Sequence, residues 1–339
     1  MPHKGARGVA VVLALICATI PAAAEPLRFS DLRDWAGDDH AAALAAFLET
    51  CDLMPGEHWG PVCRLARDVR DARSFFELFF RPVVIGTPPA LFTGYYEPEL
   101  RGSRRRTARF VWPIYRRPPD LPDAAPWFTR AEIESGALAG RGLEIAWLED
   151  PVEVFFLHVQ GSGRIRLADG AVIRVGYAGK NNHPYRSVSE EMVRRGLYQP
   201  HQVSAQVIRN WVRRNPVEGP ALLNHNPSYV FFREITGLAP DRGPIGAMSR
   251  SLTAMRSIAV DPGHVPLGAP VWIEKGGAFP LSRLMIAQDT GGAIRGAQRA
   301  DVFFGSGDAA GEMAGIVRDP GRLVTLLPIE LADTVAPGG

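Results

Sequence analysis

The sequence predicts a mainly β fold with flanking helices, built around a β-barrel. After Arg81 the chain changes to short β-type runs that Gly and Pro residues interrupt. From Tyr229 onward these runs are evenly spaced and separated by turn signals, which favours a barrel. The 339 residues allow one large domain or two smaller ones. A basic, polar stretch at residues 101–109 is typical of a surface crossing and marks a candidate domain border.

The first residues have the pattern of a secretory signal peptide. His3, Lys4 and Arg7 precede a short apolar run at residues 9–20, and three alanines at 22–24 form a cleavage site. The apolar run is too short for a comfortable membrane span. We therefore expect residues 1–24 to be removed on export.

Cleavage would remove Lys4 and Arg7 but no acidic residue. The remaining chain has 36 basic and 36 acidic side chains, so its formal net charge is zero. This balance argues against a nucleic-acid partner, for which a basic surface is expected. Cys17 follows Ile16, which is bulky for a lipid-modified cysteine site, so the sequence favours a protein without a lipid anchor.

Two cysteines remain after cleavage, Cys51 and Cys63. An even pair in an exported chain predicts a disulfide, with two buried free thiols as the alternative. No CxxC or HxxxH spacing occurs, so the sequence predicts no metal site. Neither a Walker A sequence nor a GxGxxG sequence follows a strand and opens a helix, and no cofactor is expected.

Helical patterns occur near the N-terminus and in the middle of the chain. Asp38 or Asp39 can cap a helix at residues 41–48, and Ser187 with Glu190 forms a capping box for a helix at residues 188–198. We explain the aromatic stripe of the second helix by core packing. The predicted helices cover residues 41–48, 62–80, 188–198 and 202–213.

The β-type runs form two groups, one on each side of the central helices. Asp169 and Gly170 give a hairpin signal within the first group. The first group of predicted strands covers residues 83–85, 91–96, 110–113, 152–159, 163–167 and 172–177. The second group covers residues 229–234, 258–260, 271–273, 284–287, 302–304 and 323–327.

Three polar clusters lie beside these runs, at residues 92–98, 158–163 and 175–185. They combine glycines and aromatic rings with neutral amide and hydroxyl groups. Such surfaces suit sugars, which offer apolar faces and many hydroxyls. Each cluster alone also fits an ordinary turn, so their recurrence is what favours a sugar ligand.

Three aspartates stand at the ends of apolar runs, beside glycine-rich turns: Asp261, Asp289 and Asp301. Each can simply cap a turn, which is the alternative to a catalytic role. No G-x-S-x-G elbow occurs, and neither remaining cysteine is near an evident helper histidine. Carboxylate chemistry is therefore the favoured enzymatic hypothesis.

Two carboxylate mechanisms are open at this point. Asp289 and Asp301 can act as the acid and base of a glycosidase. Alternatively, one carboxylic acid protonates the glycosidic oxygen and then takes a proton from a hydroxyl of the substrate. That acid needs a raised pKa, for which Val302, Phe303 and Phe304 could supply an apolar wall beside Asp301.

The three aspartates and the three clusters, in this order, resemble the MltA family of lytic murein transglycosylases with its C-terminal three-aspartate (3D) domain. The resemblance covers about residues 92–315. It implies a double-psi β-barrel domain formed by residues 25–100 and 234–339. It also implies a smaller β-barrel-like domain inserted at residues 101–233, with a substrate groove between the two.

The resemblance further implies an enzyme that cleaves the β-1,4 bond between N-acetylmuramic acid and N-acetylglucosamine. A 1,6-anhydro end forms without added water. Asp301 matches the family's acid and base, Asp289 would support it, and Asp261 would be structural. By motif position, six residues would line the groove: Thr93, Gly94, Tyr95, Gln160, Ser162 and Tyr177.

These inferences together predict a periplasmic, monomeric enzyme whose partner is the glycan strand of peptidoglycan. Association with the outer membrane or the cell wall stays open, because family members are often lipoproteins and this chain lacks a convincing lipid-attachment sequence. A hydrolase that uses two aspartates and a non-catalytic module that binds cell-wall glycan are the competing hypotheses.

Overall fold

The computed structural model describes residues 24–54, 56–277 and 279–336. The predicted signal peptide, residues 1–24, lies outside this part except for Ala24. No helix within the described residues is long and apolar enough to cross a membrane.

The structure is mainly β, with short helices packed around two sheets. The strands are β1 Ala24–Pro26, β2 Phe80–Ile85, β3 Ala90–Glu97, β4 Glu99–Ser103, β5 Trp112–Tyr115, β6 Glu144–Leu148, β7 Ser162–Arg166, β8 Val172–Lys180, β9 Val230–Ile235, β10 Ser257–Val260, β11 Pro270–Lys275, β12 Leu281–Thr290, β13 Arg299–Ser306 and β14 Arg318–Pro328. The helices are α1 His40–Leu48, α2 Trp59–Ala66, α3 Ala72–Phe79, α4 Arg130–Glu132, α5 Pro151–Gln160, α6 Val188–Arg194, α7 Ala205–Arg214, α8 Glu218–Leu223, α9 Asp308–Ile316 and α10 Ile329–Val335.

Six strands close into a barrel in the order β14-β11-β12-β10-β13-β3, because β3 pairs again with β14. Strands β2 and β1 extend the sheet from β14. Two of the pairings, β10–β12 and β13–β3, are parallel, and the others in the barrel are antiparallel. The predicted fold class, a mainly β protein with a barrel, a second sheet and flanking helices, is confirmed.

Alternation along the strands gives the barrel wall an inner and an outer face. Ile258, Val260 and Val302 belong to the apolar cluster that fills the barrel. Ala259 and Phe303, which alternate with them, belong to a different cluster. The wall around β10 and β13 can therefore carry polar groups on its outer face without disturbing the core.

The second sheet has the order β5-β6-β4-β7-β8-β9. A bridge between Arg116 and Phe232 joins its two ends, just beyond β5 and in β9. Residues 101–109, predicted as a surface crossing, begin within β4, which the sequence did not reveal. The predicted domain borders at residues 101 and 233 stay a prediction.

The strand predicted at residues 152–159 is wrong, because this segment is helix α5. Asp150 caps the helix by accepting a hydrogen bond from the Val152 N–H at 2.9 Å, and Pro151 occupies its first turn. Gly161 ends it with a positive φ of 76°. The helix is apolar on most sides because it packs between the second sheet and α6–α8.

The single helix predicted at residues 62–80 is also wrong in its extent. It is two helices, α2 and α3, and Asp71 caps the second by accepting from the Ser74 N–H at 3.2 Å. A local cap at Asp71 outweighs the continuous apolar stripe. A disulfide joins Cys51 to Cys63, which lies in α2.

A buried ionic cluster holds the two sheets together where the chain passes from β3 to β4. Glu97 is 1% exposed and accepts hydrogen bonds from Arg164 at 2.8 Å, Arg174 at 2.9 Å and Ser306 at 2.7 Å. The two guanidinium groups also donate to backbone carbonyls at residues 239–242, where the chain returns toward the barrel. This junction cluster (Glu97, Arg164, Arg174 and Ser306) ties both sheets to one carboxylate.

We expect Glu97→Gln to lower the free energy of unfolding by about 3 kcal/mol, because breaking a buried ion pair leaves uncompensated charge. The matched control is Glu99→Gln, whose partner Arg166 is 55% exposed, and it should cost less than about 1 kcal/mol. Urea unfolding of both variants measures the difference. Equal costs would show that the junction cluster adds nothing beyond a surface pair.

Candidate active site

Asp289 and Asp301 lie on the outer face of the barrel wall, on opposite sides of β10. Both are register partners of Ala259, Asp289 from β12 and Asp301 from β13. Thr93 of β3 is in turn the register partner of Asp301. Since neighbouring strands are about 4.8 Å apart, the two aspartate backbones lie about 10 Å from each other. The register of β12, β10, β13 and β3 thus places two carboxyls and a hydroxyl in one row.

A register shift brings Asp289 into this row. Ile258 pairs with Ala287, but Ala259 pairs with Asp289, so Gln288 is left over in β12. Without the extra residue, alternation would turn Asp289 away from the face on which Asp301 lies. Gln288 itself is buried and donates to the Ala46 carbonyl at 2.8 Å.

Among the described residues, one hydrogen bond holds the carboxyl of Asp301. Its Oδ1 accepts a hydrogen bond from the Thr93 hydroxyl at 2.7 Å. Within the described residues, no hydrogen bond reaches Oδ2. Desolvation raises the pKa of Asp301 to about 6, and the Arg299 charge and the Thr93 hydrogen bond hold it back from rising further.

Asp289 is held from both sides. Oδ2 accepts from the Tyr95 hydroxyl at 3.0 Å, and Oδ1 accepts from the Ala247 N–H at 3.0 Å. Desolvation raises the pKa of Asp289 to about 6, and the Asp301 charge adds to the rise. Burial, helped by both aspartates, raises the pKa of Tyr95 well above its usual value, so Tyr95 stays a hydrogen-bond donor.

Apolar side chains form the wall that desolvates the two carboxyls. Tyr95, Leu252, Ile294 and Phe303 cluster with Ala259 on the outer face. The Tyr95 and Phe303 rings lie 5.3 Å apart. The expectation that Val302, Phe303 and Phe304 would all supply this wall was therefore only partly right.

Val302 and Phe304 point into the barrel. Alternation along β13 is the reason, because only every second side chain shares the face of Asp301.

Asp261 lies apart from this row and serves the backbone. Its Oδ1 accepts from the Gly263 N–H at 3.1 Å and its Oδ2 from the Gly296 N–H at 2.8 Å. These bonds, with the Gly296 bond the strongest cause, lower its pKa. Asp261 thus ties the turn after β10 to the loop between β12 and β13.

The other residues predicted to line a groove occupy different settings. A side chain at Gly94 would meet Ala314 of α9 at 2.7 Å, so Gly94 allows close packing of α9 on β3. Gln160, at the end of α5, accepts from the Tyr96 N–H at 3.0 Å, which links α5 to the strand of Thr93 and Tyr95.

Ser162 and Tyr177 lie on neighbouring strands of the second sheet, β7 and β8. Ser162 is 9% exposed and pairs with Gly176, while Tyr177 is 49% exposed. No hydrogen bond between these two side chains and the aspartate pair occurs within the described residues. Asn181 belongs, like Tyr177, to the polar cluster at residues 175–185. It donates to two backbone carbonyls, so its side chain has the structural role that the alternative of an ordinary turn predicts.

Sequence reasoning missed two groups that touch this site. Arg299 donates to the Thr93 hydroxyl at 2.7 Å, and the Ala247 N–H binds Asp289. Arg299 could have been found, because it precedes Asp301 by two residues and so shares its strand face. Ala247 carries no local signal, since a backbone N–H is contributed by any loop residue. Within the described residues, no group of three His, Cys, Asp or Glu side chains is placed to hold a metal ion.

The sequence matches two described protein families. Residues 91–233 match the MltA specific insert domain, and residues 256–327 match the 3D domain. The membrane-bound lytic murein transglycosylase A of Vibrio cholerae is 36% identical over 258 residues, which are 73% of this chain and 67% of the relative. That of Escherichia coli K12 is 37% identical over 249 residues, 69% of this chain and 65% of the relative.

Solved structures give the same result. A membrane-bound lytic murein transglycosylase from Agrobacterium tumefaciens has a TM-score of 0.84 at 34% identity, covering 92% of this chain and 99% of that one. E. coli MltA with bound chitohexaose has a TM-score of 0.72 at 30% identity, covering 86% of this chain and 90% of that one.

We expect Asp301→Asn to stabilise the protein at neutral pH. A carboxyl whose folded pKa is raised from 3.8 to about 6 contributes stability that is fully present below its unfolded pKa and is lost as the pH rises through 6. The neutral amide removes this cost, so the gain should be about 1–3 kcal/mol at about pH 8 and near zero at about pH 4.

Urea unfolding at both pH values measures this gain. The exposed Asp68→Asn serves as control and should show no such pH-dependent gain. A gain at about pH 4 equal to that at about pH 8 would contradict the linkage to ionisation.

Proposed function

The chain belongs to the MltA family of lytic murein transglycosylases, and we infer from that membership that it is a lytic transglycosylase acting on peptidoglycan. The 36% identity to the Vibrio cholerae enzyme and the match to the 3D domain support this inference. The bond cut would be the β-1,4 bond between N-acetylmuramic acid and N-acetylglucosamine. The product would carry a 1,6-anhydro-N-acetylmuramic acid end.

We assign the acid and base role to Asp301 on one observation. Asp301 has an oxygen, Oδ2, that no described residue engages, whereas both oxygens of Asp289 accept hydrogen bonds. A group that donates and accepts a proton at the substrate must have an oxygen within reach of it. The raised pKa of Asp301, about 6, fits a carboxylic acid that must start the reaction protonated.

In the proposed reaction, Asp301 first donates its proton to the glycosidic oxygen as the bond from C1 of N-acetylmuramic acid to that oxygen breaks. The carboxylate so formed then takes the proton of the C6 hydroxyl as the O6–C1 bond forms. Asp301 ends protonated, and no water is consumed. One carboxyl thus serves as general acid and then as general base.

Asp289 has a supporting role in this proposal. Its charge lies close enough to Asp301 for the two to interact, and Tyr95 and the Ala247 N–H fix its position. A negative charge there would favour positive charge that develops at C1 of the sugar in the transition state.

The glycan strand would run between the barrel unit, residues 25–100 and 234–339, and the inserted unit, residues 101–233. Tyr177 offers an exposed ring for a sugar face. The half-buried Gln160, whose amide oxygen accepts from the Tyr96 N–H, would offer its amide NH₂, and the largely buried Ser162 would offer its hydroxyl. The chitohexaose complex of the E. coli relative supports a glycan ligand. We also propose that the protein works in the periplasm, because its relatives are named membrane-bound murein enzymes.

We expect Asp301→Asn to lower turnover of purified murein about 10²- to 10⁴-fold, the range that general acid–base catalysis contributes. Binding of chitohexaose, measured by calorimetry, should persist. Asp289→Asn should lose less, about tenfold, because its role is indirect. Asp68→Asn is the control and should match the wild type.

Mass analysis of the wild-type products separates the candidate functions. Ends of anhydro mass support a transglycosylase, and ends heavier by one water would establish the two-aspartate hydrolase instead. A wild-type protein that binds glycan but releases nothing would indicate a binding module.

We expect kcat to fall as the pH rises above about 6, because Asp301 must hold a proton when the reaction begins. Asp289→Asn removes a neighbouring negative charge and should move this fall to lower pH. Initial rates of anhydro-product release across the acid and neutral range test both statements. A rate that rises through pH 6 would mean that Asp301 acts first as a base.

A further inference from the structure

Arg299 lies beside Asp301, the aspartate to which the proposed function assigns the acid and base role. It is half-buried on β13, two residues before Asp301. Its guanidinium donates to the Thr93 hydroxyl at 2.7 Å and to the Ala300 and Leu91 carbonyls at 2.6 and 3.3 Å. Within the described residues, it forms no ion pair with any carboxylate. Arg299 is therefore linked to the carboxyl of Asp301 through the Thr93 hydroxyl, which is hydrogen-bonded to both.

The chemistry of the three groups fixes the direction of each hydrogen bond. A guanidinium can only donate, so Thr93 must accept from Arg299. A hydroxyl has a single hydrogen, and that of Thr93 is then available to Asp301, whose Oδ1 lies 2.7 Å from it. The same direction holds for the ionised carboxylate and for Asp301 protonated on Oδ2, because Oδ1 accepts in both of these states.

We propose that Arg299 is a positioning residue that fixes the Thr93 hydrogen on Oδ1 of Asp301 and so leaves Oδ2 to carry the transferable proton. This proposal rests on the proposed function. In the first step, the proton leaves Oδ2 for the glycosidic oxygen. In the second step, a proton returns to Oδ2 from the C6 hydroxyl. Thr93 and Arg299 keep their own protons throughout.

Arg299 also links β13 to β3 through the Leu91 carbonyl, so a purely structural role must be separated from positioning. A structural brace would change the unfolding free energy without changing the pH dependence of kcat. A positioning residue that also brings positive charge toward Asp301 changes both kcat and its pH dependence. Substrate affinity should stay the same, because Arg299 is not assigned to the glycan.

The test compares Arg299→Gln, Arg299→Lys, Thr93→Val and Thr93→Ser in the full chain, with purified murein as substrate. We expect Arg299→Gln and Thr93→Val to lower kcat about tenfold to a hundredfold, with KM changed less than about twofold. The fall in kcat with pH should move to higher pH in both, because each loses a contact that favours the ionised form of Asp301. Arg299→Lys and Thr93→Ser should recover part of the rate.

The double variant Thr93→Val/Arg299→Gln completes a cycle, and exposed Arg70→Gln is the control. If Arg299 acts through Thr93, its replacement should cost much less kcat when Thr93 is already Val. Full additivity would overturn the proposal, as would a wild-type pH profile in Arg299→Gln. Should Arg299→Gln not fold, kcat and its pH dependence in Thr93→Val, Thr93→Ser and Arg299→Lys still test the proposal.

Failure of this proposal is distinguishable from failure of the proposed function. Product mass tells whether the C6 hydroxyl or water closes the reaction, and it does not depend on Arg299. The kcat profile reports the proton on Asp301 whichever nucleophile follows. Hydrolytic products with a shifted profile in Arg299→Gln would sink the transglycosylase function but keep the positioning role.

Discussion

The pairing of β3 with β13 and β14 is the constraint on which the site depends. It joins segments that are about two hundred positions apart, since Thr93 and Asp301 are separated by 208 positions. Closing so long a loop costs entropy, and the continuous apolar core of the barrel offsets it. The same pairing sets the place of the second sheet. One residue, Pro98, separates β3 from β4, so Glu97 becomes the point at which both sheets are fixed.

The second constraint is a buried amide. Gln288 is the extra residue of the β12 register shift, and its side chain binds Ala46, Thr50 and Ser257. A buried amide without partners would be costly, so this network holds the shift in one place. Because the shift turns Asp289 toward Asp301, a structural hydrogen-bond network in the core decides which side chains meet at the surface.

The sequence predicted the parts of this protein that are set by local pattern. Short apolar runs between turn signals located most barrel strands, and the aspartates were recognised from their positions beside glycine-rich turns. It failed at residues 152–159, where a helix buried on most sides has the same apolar run as a strand. It also could not predict the partners of Glu97 or the Ala247 N–H on Asp289, because neither contact leaves a trace in the local sequence. Such contacts exist only once distant segments are folded together.

Among the described residues, Asp301 receives one hydrogen-bond donor, whereas Asp261 and Asp289 each receive two. Asp261 has both oxygens bound by backbone N–H groups, and its pKa is lowered. Asp289 also has both oxygens engaged, but desolvation outweighs those bonds and raises its pKa to about 6. Asp301 also has a pKa of about 6, with one oxygen engaged by the described residues, so the pKa alone does not separate Asp301 from Asp289. A second donor on Asp301 would lower its pKa and would also occupy the oxygen that must reach the substrate. A carboxyl with one unbonded oxygen lowers the stability of the fold when it is buried against an apolar wall. Proton transfer at this site requires that oxygen to be unbonded, so the loss of stability accompanies the function.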